Sequence, residues 1–150
     1  MLIPSAEESF ARGRLALASG KRREAMALFE ASIEIERRRR QSRPQPRYLS
    51  YYGLCLALER GEVREALRYC REAVTLEGYN PDIRCNLGQV LLRAGRRKEA
   101  YRSFVRGLKT DCHHRQSVDA IKTMGIRRRP FFSFLHRQNP LNVLLGRFRT

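Results

Sequence analysis

Side chains able to do chemistry are few and scattered in this chain of 150 residues. Four cysteines stand at Cys55, Cys70, Cys85 and Cys112, and three histidines at His113, His114 and His136. Thiol and imidazole adjoin only in Cys112-His113-His114, so a metal site would be sought there. Structural zinc takes four ligands, usually as two spaced pairs, and no second pair is spaced for it. The cysteines form no CxxC redox pair either, and Cys70 falls at a helix position where a small apolar residue belongs. Most carboxylates sit at helix-surface spacings opposite arginines, not as general acid–base pairs. There is no phosphate-cradling glycine loop, nucleophile elbow or HExxH. The histidines lie near or inside the C-terminal segment, away from any recognisable nucleophile. The reading is a non-enzyme with neither metal nor cofactor.

Charge is the other chemical signal. Thirty-one Lys+Arg against 15 Asp+Glu give +16 and a pI near 10.9. Arginine dominates, and its planar fork binds carboxylate and phosphate bidentately, so an acidic partner is expected. The densest run is Arg37, Arg38, Arg39, Arg40, Arg43 and Arg47, partly offset by Glu34 and Glu36 at helical spacing. A solvated helix end that suits the helix dipole fits this run as well as an acid-binding patch does. A second cluster, Arg127, Arg128 and Arg129, opens a tail with no acidic residue. Phe131, Phe132, Phe134, Leu135, Leu141, Val143, Leu144, Leu145 and Phe148 make that tail too apolar for a disordered linker. Pro130 and Pro140 divide it, and Asn139-Pro140 with Gly146 bound a short helix. Three destinations fit it. It folds back on the body or into its groove, with a swapped homodimer as a variant; it docks on a partner protein; or it lies on an anionic membrane surface. Stacking on nucleic acid is a smaller possibility. No apolar run reaches membrane-spanning length and the N-terminus has no basic lead-in, so a reduced, cytoplasmic setting with possible membrane association is expected.

The elements that position these residues are clearest over 81–110. Leu87, Gly88, Leu91, Ala100, Phe104, Gly107 and Leu108 recur at 3-, 4- and 7-residue spacings, with Gly95 between two helices. Pro81 and Asp82 suit a first helical turn. The pattern recurs 34 residues upstream through Ala57, Gly61, Ala66, Cys70 and Ala73, and again through Gly13, Ala16, Gly20, Ala25, Phe29 and Ser32. Aligning Ala25 with Ala66 gives a 41-residue offset, so seven residues, RQSRPQP, are inserted between the first two copies. Pro44 and Pro46 within them stop helix propagation. Ser5 with Glu8 has capping-box spacing for the first helix. Residues 115–125, with Val118, Ile121 and Met124 on one side and Gly125 as stop, predict a capping helix.

These residues make the chain resemble the tetratricopeptide repeat family. Repeats fall at about 6–39, 47–80 and 81–114, within a domain of 1–126, followed by a basic-hydrophobic extension at 127–150. The copies depart from the family pattern at Arg12, which stands at the usual leucine, and at Gly53-Leu54, which reverses the Leu-Gly order. The resemblance implies an all-α, right-handed α-solenoid of three helix pairs with a concave groove lined by the first helix of each pair. By that alignment the groove takes Glu7, Phe10, Arg14, Leu17 and Ala18, then Tyr48, Tyr51, Cys55, Leu58 and Glu59, then Asp82, Cys85, Gln89, Leu92 and Arg93. Asn86 matches one asparagine of the clamp that some family members close on a terminal carboxylate. Phe10 replaces a clamp lysine and Asp82 opposes an anion, so such a clamp is not expected. The implied role is an adaptor that holds an acidic or amphipathic protein segment, with a small chaperone of the same fold or a tail-driven membrane or nucleic-acid protein as alternatives.

Overall fold

The structure is a computed structural model that describes residues 5–40 and 43–125. Among the described residues seven helices follow one another: α1 (Ala6–Ala18), α2 (Arg22–Arg40), α3 (Pro46–Cys55), α4 (Val63–Leu76), α5 (Pro81–Arg93), α6 (Arg97–Thr110) and α7 (Arg115–Met124). A widened π turn, Leu56–Arg60, prolongs α3. No strand occurs among the described residues. Consecutive helices pair as α1 with α2, α3 with α4 and α5 with α6, and each pair stacks on the next to give a helical solenoid.

Local chemistry sets these boundaries. Ser5 Oγ accepts from the Glu8 amide at 3.1 Å while Glu8 Oε2 accepts from the Ser5 amide at 2.7 Å, so the predicted capping box starts α1. Asn80 caps α5 through its Oδ1, and Pro81 takes the first helical position, where its missing N–H removes no bond. Pro46 does the same for α3, so the proline expected only to stop α2 also starts the next helix. The paired helices reverse at Gly20, Gly61 and Gly95, whose φ values of 76°, 71° and 72° lie where a Cβ is disfavoured.

Within each pair a small residue faces a large one. Gly88 lies against the ring of Phe104, inside the space a Cβ would need, and Gly13 faces Phe29 in the same way. Ala25, Phe29, Ala100 and Phe104 are fully buried. The middle pair exchanges the sizes: Leu54 stands at the glycine position and Cys70 at the phenylalanine position, and both are buried. Gly53, one residue earlier, then meets the Ala66 carbonyl and Cys70 Sγ at 2.9 Å from where a Cβ would sit. The reversed Gly53-Leu54 order is therefore a compensated exchange of volume.

Helix α7 packs against α6 and α5, so it covers the open end of the last pair as a capping helix. Ala120, Ile121 and Met124 join the core cluster, and Arg97 Nη2 holds the Met124 carbonyl at 2.6 Å. No described helix is long and apolar enough to cross a membrane. The tail with Arg127, Arg128 and Arg129 lies outside the described residues.

Candidate functional site

The first helices of the pairs, α1, α3 and α5, bring their inner faces together with α7 around one cavity of about 270 Å³. Arg14, Leu17 and Ala18 come from α1, Tyr51 and Leu54 from α3, Leu58 from the π turn, Asn86 and Gln89 from α5, and Gln116 from α7. The wall is aliphatic and aromatic, with three carboxamides on one side and one guanidinium on the other. Arg14 lies 5.9 Å above the Tyr51 ring, a cation–π contact that fixes the charge over the aromatic edge of the cavity. Burial and the nearby Asp82 charge push the Tyr51 hydroxyl up to about 12, so it stays a neutral donor at physiological pH.

The predicted groove residues divide by depth. Arg14, Leu17, Tyr51, Leu58, Asn86 and Gln89 line the cavity. Phe10, Tyr48 and Cys55 are buried beside it. Phe10 stacks on Tyr48 with ring centroids 4.9 Å apart, on Tyr51 edge-on at 5.3 Å and on Phe29 at 5.5 Å. Together the rings fill the space between α1 and α3. Leu92 is half-buried and Arg93 exposed, both toward the end of α5 and outside the cavity lining. Cys85 is buried and takes a contact from Gln89 Nε2 at 3.6 Å. Asn86 is also buried; its Nδ2 donates to Ser50 Oγ at 3.1 Å, tying α5 to α3.

Asp82 is engaged from the start of α7 by His114. His114 Nε2 lies 3.0 Å from Asp82 Oδ1, and His114 Nδ1 lies 2.8 Å from Ser117 Oγ and 3.3 Å from the Ser117 amide. The amide contact makes Nδ1 the acceptor and leaves Nε2 to donate to the carboxylate. His114 thus caps α7 and pins its start to α5. These are the residue types of a hydrolytic triad, and for His114 they correct the expectation that the histidines lie away from any recognisable nucleophile. Ser117 is fully buried, however, with no opening through which a substrate would reach it. Its hydroxyl also holds the Cys85 thiol partly down against the burial that raises it. Burial pushes Cys55 and Cys70 up to about 12, far from a reactive thiolate. No group of three metal-ligating side chains occurs among the described residues.

Gln116 was missed because 115–125 reads as a cap, yet it falls one 34-residue period after Asp82. The seventh helix therefore occupies the place of a fourth first-helix and contributes to the groove. Among the basic residues, Arg37 pairs with Glu34 at 3.2 Å, and Arg38, Arg39 and Arg43 are exposed near the end of α2, which Arg40 closes. Arg47 is used internally: its Nη2 holds Glu7 Oε2 at 2.6 Å, and its guanidinium lies 5.3 Å over Phe10 and 5.4 Å over Tyr48.

Residues 57–111 match the family model of the tetratricopeptide repeat. No curated protein matches the chain. In three dimensions it is similar to the tetratricopeptide-repeat domain of Arabidopsis OM64, at 18% identity and a TM-score of 0.62 over 80% of this chain and 93% of that one. It is also similar to the second such domain of human RPAP3 in complex with an HSP70 peptide, at 18% identity and TM-score 0.58 over 79% and 93%. PcrH, solved in complex with the chaperone-binding region of PopB, gives 18% identity and TM-score 0.58 over 78% and 92%. Over residues 57–111 the chain is thus a tetratricopeptide-repeat segment, and over the described residues it shares the fold of these domains.

Proposed function

We propose that this protein is a non-enzymatic adaptor of the tetratricopeptide-repeat type that holds a short segment of a partner protein in its concave groove. The observation that carries the reading is the cavity to which α1, α3, α5 and α7 all contribute. Leu17, Leu54, Leu58 and Tyr51 offer apolar contact to side-chain anchors. Gln89 and Gln116 can bond the main chain of an extended segment, and Arg14 favours an acidic residue at the α1 end. Peptide complexes of the RPAP3 and PcrH structures support the reading, since they hold protein segments on the same fold. The net charge of +16 adds long-range attraction for an acidic partner.

Selection from a random peptide library tests this. Enriched peptides are expected to carry one or two large apolar residues beside an acidic one. They should lose about tenfold or more in affinity on Leu58→Arg, because a charge is then buried against the apolar anchor. Failure to enrich any peptide, or equal binding to the Leu58→Arg variant, removes the groove as the site.

A further inference from the structure

The opposite face of the solenoid carries a second cleft, of about 220 Å³, between α4 and α6 with α5 as its floor. Leu87 and Leu91 form an apolar base, and Ser103 lies beside them with its hydroxyl committed to the Arg84 carbonyl at 2.8 Å. Four arginines line this small space: Arg71 from α4, Arg84 from α5, and Arg102 and Arg106 one turn apart on α6. The one carboxylate in the lining, Glu99, has both oxygens held by Arg96, at 2.7 and 2.8 Å. Among the described residues no carboxylate lies within ion-pair distance of any of the four arginines, although seven such pairs form elsewhere on the chain.

We infer that this convex cleft binds a phosphate group. Like charges crowded together are unfavourable unless an anion joins them, and Arg84 feels the crowding: burial and the Arg106 charge both lower its pKa. Arg84 is also held in place. Its Nε donates to the Gly78 carbonyl at 2.6 Å, and the guanidinium presses so close to Gly78 that a Cβ there would meet Nη2 at 2.9 Å. A fixed guanidinium loses little further freedom when it binds, so its remaining N–H groups are preorganised for a ligand. Several planar forks around one small volume suit a tetrahedral dianion, which offers an oxygen to each, better than a planar carboxylate, which saturates one fork. The leucine base adds contact for whatever carries the phosphate. The chemistry is shared by a phosphorylated serine or threonine of a partner and by a free phosphate or diphosphate.

Calorimetric titration of the full chain tests the site, with inorganic phosphate, pyrophosphate, a phosphoserine peptide and its unphosphorylated form as probes at one ionic strength set with chloride. At least one phosphate probe is expected to bind. The Arg102→Gln/Arg106→Gln variant should weaken it by about tenfold or more, as two charge-assisted forks are lost. Arg38→Gln/Arg39→Gln removes the same charge elsewhere and should leave binding within about twofold. A tighter phosphopeptide identifies a phosphorylated partner; tighter inorganic probes identify a free ligand. No binding by any phosphate probe overturns the site. So do equal losses in the two variants, or equal binding of the unphosphorylated peptide, because those results report bulk charge. Circular dichroism of each variant separates loss of the ligand from loss of the fold.

Discussion

The two seams between repeats are built in opposite ways. Between the first and second repeats, Phe10, Tyr48 and Tyr51 stack ring on ring, and α1 and α3 approach far less closely than α3 and α5. Between the second and third repeats, α3 and α5 pack closely, and the buried partners are small: Ser50, Cys85 and Asn86, joined by the Asn86–Ser50 hydrogen bond at 3.1 Å. The seven-residue insertion falls in the connection across this first seam, and α2 still packs on α3 as closely as α4 does on α5. A solenoid is stable only as far as each neighbour interface is favourable, so one fold here rests on bulk at one joint and on fit at the other. The aromatic joint tolerates small movements of α1, while the hydrogen-bonded joint fixes the register of α3 against α5. The groove spans both joints, with Arg14 and Leu17 carried on the first and Asn86 and Gln89 on the second.

The strongest way to break the contrast is to empty the aromatic joint. Phe10→Ala removes a ring in contact with three others and leaves a cavity that α1 closes only in part. We expect a loss of about 3–5 kcal/mol in chemical denaturation, with α1 and α2 unfolding ahead of the rest. A loss under about 1 kcal/mol would mean that the first repeat is held by its backbone contacts instead. The second joint should respond less but in a different manner. Asn86→Ala strands the buried Ser50 hydroxyl and costs about 1–3 kcal/mol. Replacing both partners, Ser50→Ala with Asn86→Leu, should recover part of that loss, because no polar group then stays buried without a partner. Equal damage in the single and double variants would show that packing, and not the hydrogen bond, holds the second joint.

How far these joints could be read beforehand depends on what kind of signal each leaves in a sequence. Helix pairs, turns and caps are local and periodic, so Gly20, Gly61, Gly95 and the Ser5–Glu8 box could all be placed from spacing alone. The 34-residue repeat then gave the groove its wall, and Arg14, Leu17, Tyr51 and Gln89 stand in it. Depth was not legible, because a groove-facing position that meets an aromatic neighbour across a wide seam becomes buried, as Phe10 and Tyr48 did. Pairings between distant positions were not legible either. His114 meets Asp82 only because α7 continues the stacking past the last full repeat. The arginines of the convex cleft are spread over 71–106, whereas attention goes naturally to the unbroken run at 37–40. Arg47 belongs by sequence to the wider basic stretch at 37–47 and by structure to the aromatic joint.

The smallest effect at neutral pH, and the finest test of the contrast, comes from the Tyr48 hydroxyl. It donates to Glu7 Oε2 at 2.9 Å beside the Arg47–Glu7 pair, at a partly exposed edge of the joint. Tyr48→Phe keeps the ring and removes that bond, so the cost near pH 7 should be about 0.5–1.5 kcal/mol. The alkaline limb gives a sign that packing cannot imitate. Burial, reinforced by Glu7, pushes the folded-state Tyr48 pKa up to about 12 from 10.0. The folded chain therefore keeps a proton that the unfolded chain releases, and stability present below pH 10 falls as pH rises from 10 toward 12. The thiols of Cys55 and Cys70, raised from 9.0, begin the same decline one unit earlier in both proteins. Phenylalanine cannot ionise, so the deficit of the variant should shrink through the window from 10 to 12, while the earlier thiol limb stays common to both. Parallel pH profiles for the two proteins would place the Tyr48 hydroxyl in water and leave only its ring in the aromatic joint.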